Sequence, residues 1–436
     1  MTNKRVLLGA MWLMVFPVVT FAQNVTNSPY TRYGLGQLSD QTSAMSRGLG
    51  GSAYALRDSK FVNFANPASY SGVDSLTMKF DLGMSLQNSN FSDDDNVSLN
   101  AKNSSLDYLM LNFRLAPHLG IAAGIMPFAS VGYDFDASSE STDEEASNIN
   151  YSGSDGFSQA FVGLGYDVLP NLSVGMNASY LFGTTTKNQT QLFPNSDTAY
   201  PTVISRSVRI KSYKLDFGLQ YQMHYSKDLS AIIGATYSPG VSVNNTSYIS
   251  KSTYTTSGTV DTSYRYDLSS PIDYASHYGL GATLMWKNWL FTADATYEDW
   301  GGCSYPLVNL GDLPNESTDN IDAANYNTYS DRYRLSVGTQ YQPNPNGRSL
   351  WSVTRYSIGG YIDALQYSYD NQRAAYEYGV SVGLAMPVFR SNSILSISGQ
   401  YSILKPQVTG LLEENRFKIS IGLTFNERWF FKRKIQ

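Results

Sequence analysis

The sequence predicts an all-β protein: a transmembrane antiparallel β-barrel of 14 strands with an N-terminal plug inside its lumen. Three observations predict this fold class: long segments in which apolar and polar residues alternate, an export signal ahead of them, and links between the segments that are short and long in turn. Bacterial outer-membrane barrels have an even number of strands, apolar side chains toward lipid, short periplasmic turns and longer outer loops. Beyond residue 22, no apolar run approaches the roughly 20 residues that a spanning helix needs.

Residues 1–22 have the features of a secretory signal peptide. Lys4 and Arg5 precede an apolar run over residues 6–19, and Ala22 supplies the small residue at which signal peptidase would cut. The residue directly after the cut is Gln23 and not a cysteine, so lipoprotein anchoring is not indicated. Without these two basic residues the 31 Lys and Arg become 29, against 36 Asp and Glu. An acidic chain without a basic cluster is not expected to bind nucleic acid.

The alternation is clearest over residues 416–426. Phe417, Ile419 and Ile421 share one face with the apolar residues that follow them, while Arg416 and Lys418 lie on the other. Successive side chains of a strand point to opposite faces, so such a strand has one apolar and one polar side. The same pattern predicts 14 strands, at residues 75–88, 103–115, 118–135, 151–167, 171–186, 205–224, 229–248, 263–286, 289–300, 326–342, 351–367, 375–389, 393–403 and 415–431.

The links between these strands alternate in length. Short links are predicted at residues 116–117, 169–171, 226–228, 287–288, 343–349 and 390–392. Long links are predicted at residues 89–102, 136–150, 187–204, 249–262, 301–325, 368–374 and 404–414. With an even strand count, this alternation places the barrel (residues 75–431) with both chain termini on the periplasmic side, followed by a basic periplasmic tail at residues 432–436.

Residues 23–74 are predicted to form the plug, or hatch. A barrel of 14 strands encloses a lumen that its own wall side chains do not fill, and the aromatic residues of this segment argue against a disordered leader. Glycine permits tight turns and close backbone approach, and proline fixes φ. The candidate plug or gate residues are therefore Gly48, Gly50, Gly51, Asn66, Pro67 and Ala68.

These motifs also carry a resemblance to a known family. Residues 47–51, followed by 66–68 just before the first strand, resemble the N-terminal hatch of the FadL/TodX family, outer-membrane transporters of long-chain fatty acids and other hydrophobic compounds. The resemblance implies passive uptake of a hydrophobic, fatty-acid-like ligand, in contact with outer-membrane lipids. Residues 28–34 are more similar to barrels of Bacteroides-type Gram-negative bacteria than to enterobacterial fatty-acid transporters, so the fold is implied more firmly than the substrate.

In that family a kink in the third strand opens the wall sideways and releases the ligand into the membrane. Here Gly124, Met126 and Pro127 interrupt the third predicted strand, and Pro127 has no N–H to donate to the ladder. The three residues are the candidates for a lateral opening. The other interpretation is a bulge at a strand end near the outer rim.

No catalytic residue, metal site or cofactor is predicted. His118, His224 and His277 lie near strand ends, and no serine motif accompanies them. The acidic clusters at residues 93–95 and 143–145 fall in predicted outer loops; a solvated loop surface is favoured there over binding of divalent ions shared with lipopolysaccharide.

Two functions of different classes remain open. One is uptake of a hydrophobic small molecule through the barrel with lateral exit into the membrane. The other is a non-transporting barrel that acts as a scaffold or subunit of an outer-membrane secretion or barrel-assembly complex, as some FadL-like relatives do. A continuous apolar tunnel would favour the first function; a sealed lumen and co-purifying partners would favour the second.

Overall fold

The computed structural model describes residues 26–93, 98–139, 147–193, 200–255, 257–268, 271–305, 313, 316, 318–321, 329–369, 372–388 and 393–428. The predicted signal peptide, the basic tail and most of the two acidic clusters lie outside the described residues. Among the residues that the structure describes, no helix is long and apolar enough to cross a membrane.

The described strands form a closed wall of 14 antiparallel members, which confirms the predicted fold class. Each wall strand pairs with the next, and the last pairs with the first from Thr77 opposite Arg428 to Ser92 opposite Glu413. This pairing means that neither the first nor the last strand is left as an open edge of the wall, where an unpaired backbone group in lipid costs several kcal/mol. The wall strands are β1 Thr77–Ser92, β2 Ser98–Ala116, β3 Leu119–Ser130, β4 Ser147–Leu169, β5 Leu172–Leu192, β6 Thr202–Ser226, β7 Leu229–Ser238, β8 His277–Trp286, β9 Trp289–Glu298, β10 Arg332–Tyr341, β11 Arg355–Ala364, β12 Ala375–Pro387, β13 Ile394–Pro406 and β14 Glu413–Arg428.

Several predicted outer loops contain strand as well. The pairing of β4 with β5 continues to Asn148 opposite Leu192, well into the links expected at residues 136–150 and 187–204. Residues 187–191 are all polar and residues 147–150 contain one apolar residue, so the alternation ends before the ladder does. The further strands are Gln37–Leu38, Tyr133–Ser139, Val241–Val243, Asn245–Tyr254, Val260–Leu268, Ile272–Tyr274, Thr318–Ile321, Ser368–Tyr369 and Gln372–Arg373. The short helices are Pro29–Arg32, Ala44–Arg47, Pro67–Gly72 and Leu350–Val353.

The wall has its apolar side outward. On β14, Phe417 and Ile421 are 48% and 43% exposed, whereas Arg416, Ser420 and Thr424 between and beyond them are buried toward the lumen. This inversion of the usual inside and outside is what a lipid environment requires. The face assignment made from residues 416–426 is therefore confirmed.

Residues 26–74, here called the N-terminal segment, contact strands on several sides of this wall. The first described residues pack at the end of the barrel that carries the long links, here called the long-link end. Ser28 Oγ donates to Glu414 at 2.7 Å, and the Tyr30 hydroxyl donates to the Leu412 carbonyl at 2.7 Å. The segment leaves for β1 at the opposite end, where Thr77 pairs with Arg428. The first described residues therefore lie at the long-link end of the barrel, whereas β14 ends at the opposite end; the periplasmic location of both termini stays a prediction.

Candidate functional site

The glycine run after the helix Ala44–Arg47 brings the N-terminal segment against the wall. Gly50 and Gly51 have φ of 73° and 88°, the left-handed region that favours glycine. The Gly50 N–H donates to Ser381 Oγ at 3.0 Å, and a Cβ on Gly50 would lie 2.6 Å from the Gly360 carbonyl oxygen. Gly48, at the end of the helix, would bring a Cβ within 2.9 Å of the Gly383 Cα. The run is thus a point of backbone contact with the wall.

The Asn66, Pro67 and Ala68 motif forms a second contact. Asn66 Nδ2 donates to the Tyr54 carbonyl at 2.7 Å and to the Leu219 carbonyl of β6 at 3.1 Å, while its Oδ1 accepts from the Ala68 N–H at 3.1 Å. Asn66 thereby caps the helix Pro67–Gly72 and ties it to the wall. Both predicted gate motifs are accordingly anchoring points in this structure.

Wall glycines that were not among the predicted site residues face this motif. A Cβ on Gly175 would lie 2.3 Å from the Pro67 carbonyl carbon, and one on Gly120 would lie 1.9 Å from the Tyr70 carbonyl oxygen. Gly165 and Gly218 make similar approaches. The signal was present in the sequence, because these glycines occupy positions on the inward face of successive strands.

Four ion pairs connect the N-terminal segment to different wall strands. Arg47 pairs with Asp107 of β2, and their side chains are only 4% and 6% exposed. The other pairs are Arg57 with Asp167 of β4 at 2.8 Å, Asp40 with Arg334 of β10 at 3.2 Å, and Asp58 with Arg355 of β11. On β9, the Asp294 carboxylate accepts from the backbone N–H groups of Ala53 and Tyr54 at 2.6 and 2.9 Å. The segment is therefore held on several sides of the barrel at once.

The Asp58 carboxyl is held in its charged form. Burial raises its pKa, but the Arg355 guanidinium and the Lys60 N–H outweigh burial, so that the pKa lies below the ordinary value of 3.8. The pKa of Asp40 is lowered in the same way, against its burial, chiefly by Arg334. Both carboxyls belong to the segment and not to the spanning strands.

Acidification is expected to loosen the N-terminal segment. A carboxyl with a lowered folded-state pKa contributes stability that is complete above its unfolded pKa and is lost as pH falls through the folded value. The thermal midpoint of the purified barrel should therefore decrease once the pH drops below about 4. Asp58→Asn should lower the midpoint at pH 7 and flatten its pH dependence. Asp228→Asn, in an exposed turn, is the matched control. Equal pH profiles for Asp58→Asn and the parent chain would contradict this account.

Charged side chains also line the lumen beside the segment. Arg332 binds Asp363 through two bonds of 3.0 and 2.6 Å and approaches Glu298 at 3.4 Å; Asp363 in turn approaches Arg334 at 3.5 Å. Two cavities of about 100 and 120 Å³ border this network. A dry apolar cavity of about 150 Å³ accommodates benzene, so both cavities are smaller and, unlike it, lined by charges.

The ladder between β2 and β3 ends beside the three candidates for a lateral opening, which stays a prediction. The β2–β3 ladder ends at the pair of Leu109 and Ile125, and Ile125 lies between Gly124 and Met126. In the described ranges, β2 has no ladder partner in β3 before Leu109. A bulge follows between Pro127 and Ala129 on the β4 side. The short strand Gln37–Leu38 of the N-terminal segment then pairs with Ser130 and Ala129 of β3. The bulge and the end of the ladder are thus both present at the predicted position.

The remaining sequence candidates are dispersed. His118 lies in the β2–β3 turn with its side chain 65% exposed, His224 is near the end of β6, and His277 of β8 contacts Glu298 at 3.3 Å and the Tyr54 hydroxyl at 3.3 Å. Within the described ranges, no group of three His, Cys, Asp or Glu residues is arranged to hold a metal ion.

Comparison with known proteins gives a family for this chain and a set of similar folds. A family model described as BamG matches residues 1–436. Among solved structures, the Pseudomonas putida toluene transporter TodX is 15% identical with a TM-score of 0.58, covering 90% of this chain and 100% of that one. A Pseudomonas aeruginosa FadL homologue is 13% identical with a TM-score of 0.61, covering 89% and 99%. No curated protein matches the sequence. The solved structures therefore share the FadL/TodX fold with this barrel.

Proposed function

The chain belongs to the BamG family. We propose that it is an outer-membrane barrel that is closed by a plug of residues 23–74. In this proposal the barrel serves as a non-transporting scaffold or subunit of an outer-membrane secretion or barrel-assembly complex. The host would be a Gram-negative bacterium, of Bacteroides type by the resemblance of residues 28–34. The observation that carries the proposal is the fixation of the N-terminal segment by four ion pairs to β2, β4, β10 and β11.

Passage of a ligand along the lumen would require this segment to move. Leaving one member of a buried ion pair without its partner costs about 3–5 kcal/mol, and Arg47 with Asp107 is such a pair. The neighbouring cavities offer little space and a charged lining, which disfavours an apolar solute. A barrel of this kind can present its outer surfaces to partner proteins while its lumen stays closed.

Isolation of the tagged protein from outer membranes in mild detergent tests this proposal. We expect one or more outer-membrane proteins to co-purify in fixed stoichiometry, and the isolated barrel to show no open-channel conductance in planar bilayers. A barrel that purifies without partners and conducts would contradict the proposal.

Hydrophobic uptake is the second candidate, because the ladder between β2 and β3 is interrupted at Ile125 and the fold is shared with proteins described as a toluene transporter and a FadL homologue. In this mechanism a fatty-acid-like ligand enters at the outer loops, the plug rearranges around residues 48–51 and 66–68, and the ligand leaves sideways near Gly124, Met126 and Pro127.

Replacing Pro127 by alanine tests the lateral exit. The added N–H allows a regular ladder, so uptake of a labelled fatty acid by cells should slow while the amount of folded barrel stays unchanged. Pro406→Ala, at the end of β13, is the matched proline control. Unchanged uptake in Pro127→Ala would count against the side exit.

A further inference from the structure

Two cations face each other across neighbouring strands near the long-link end of the lumen. Lys187 of β5 is the register partner of Arg206 of β6. Lys187 lies on the same inward face of β5 as the buried Thr185, and Arg206 lies on the same inward face of β6 as the buried Val208. Like charges directly opposite each other in a sheet are destabilising, so this pair needs a compensating interaction.

The two side chains converge on one aromatic ring. Lys187 Nζ lies 5.5 Å and Arg206 Cζ 4.9 Å from the ring centroid of Tyr305, which is itself 2% exposed. Lys187 Nζ also donates to the carbonyls of Arg32 and Gly34 at 2.8 and 2.7 Å, which draws the N-terminal segment to the site. The Arg32 guanidinium, 3.9 Å above the Tyr151 ring, adds a third positive charge.

Arg206 has donors without acceptors. Its Nε and Nη2 atoms are buried, and neither has a hydrogen-bond partner in the described part of the chain. Within the same part, no salt bridge joins Arg32, Lys187 or Arg206 to a carboxylate. The cation–π contact with Tyr305 offsets some of the charge but does not satisfy the in-plane N–H groups. Two orphan N–H groups of one guanidinium form the fork that binds two oxygens of an oxyanion.

We propose that Arg206, Lys187 and Arg32 form a binding site for a phosphate group. Three formal positive charges, with no carboxylate of the described residues in a salt bridge to them, match a phosphate, which carries about −1.5 to −2 charges at neutral pH, better than a carboxylate with a single charge. Arg206 binds two phosphate oxygens through Nε and Nη2, and Lys187 supplies its remaining N–H. The phosphate comes either from solution or from the head group of a phosphorylated glycolipid at the outer surface; the site lies toward the long-link end, five residues before the end of β5 at Leu192.

Calorimetric titration of the purified full-length barrel with inorganic phosphate tests the site. We expect saturable binding that Arg206→Gln weakens at least about tenfold, with a smaller loss for Lys187→Gln. Arg209→Gln, an exposed position on the opposite face of β6, should leave the affinity unchanged. Equal losses in Arg206→Gln and Arg209→Gln would overturn the proposal. Absence of saturable phosphate binding would overturn it too, unless a phosphorylated glycolipid binds instead.

Vesicles containing a phosphorylated glycolipid, compared with its dephosphorylated form, separate the two sources. If the barrel prefers vesicles with the phosphorylated form and Arg206→Gln abolishes this preference, the ligand is the head group. If only inorganic phosphate binds, the ligand is the free ion. If neither probe binds, the site is rejected. A second measurement distinguishes a purely structural role. In phosphate-free buffer, Arg206→Gln should raise the thermal midpoint by removing like-charge repulsion, whereas a lower midpoint would show that Arg206 serves the fold itself.

Discussion

Replacing Gly175 by alanine is expected to displace the Pro67–Gly72 helix from the wall and to destabilise the barrel. The new Cβ would lie 2.3 to 2.5 Å from three backbone atoms of Pro67 and Ala68. No side-chain rotation relieves an overlap with backbone, so either the helix or β5 must shift. Overpacking of this kind costs about 1–3 kcal/mol, occasionally more.

The effect should appear in two measurements. Urea unfolding of the barrel in detergent, followed by its heat-modifiable mobility in gel electrophoresis, should show a lower midpoint. Protease cleavage within residues 57–60, close to the displaced helix, should become faster in the folded state. Gly399→Ala is the matched control, because the nearest atom to its Cβ would be a Val382 methyl at an ordinary contact distance of 3.8 Å. Equal behaviour of the two variants would show that the Pro67 contact does not hold the segment.

The wall was predictable because its pattern is local. Alternation over residues 376–386 places Val380 and Val382 outward and Ser381 inward, and the structure has them 62%, 58% and 3% exposed. The outer extensions of β4 and β5 were not predicted, since residues 187–191 are all polar and residues 147–150 contain one apolar residue, so that no sustained hydrophobic period marks them. Backbone pairing alone maintains those strands.

The attachment of the N-terminal segment depends on contacts that sequence does not display. Arg47 and Asp107 are 60 positions apart, and nothing in either neighbourhood specifies the other as partner. Inward-facing charges such as Asp107 and Asp294 are ordinary on barrel strands, whose interior is polar, so they did not point to a partner. Their pairing with Arg47 and with the N–H groups of Ala53 and Tyr54 follows only from the path of the segment through the lumen.

Breaking the pair between Arg47 and Asp107 is expected to have the largest effect of any single change in the segment. Both side chains are almost fully buried, and Asp107 also accepts from Ser85 Oγ at 2.9 Å while Arg47 donates to Ser420 Oγ at 3.1 Å. Removal of one partner leaves an uncompensated buried charge, which costs about 3–5 kcal/mol. Arg47→Leu and Asp107→Leu should each lower the unfolding midpoint and free the N-terminal segment for proteolysis.

The two variants should differ in a direction set by Lys418, which lines the same cavity. In Arg47→Leu, Asp107 retains Lys418 as a nearby cation. In Asp107→Leu, Arg47 and Lys418 repel each other and share only Asp40, which already pairs with Arg334, so this variant should be the less stable. The double variant Arg47→Leu with Asp107→Leu removes both charges and should recover part of the loss, because apolar side chains can replace a buried pair at little cost. Additive losses in the double variant would show that the two residues act independently and that their ion pair does not fix the segment in the lumen.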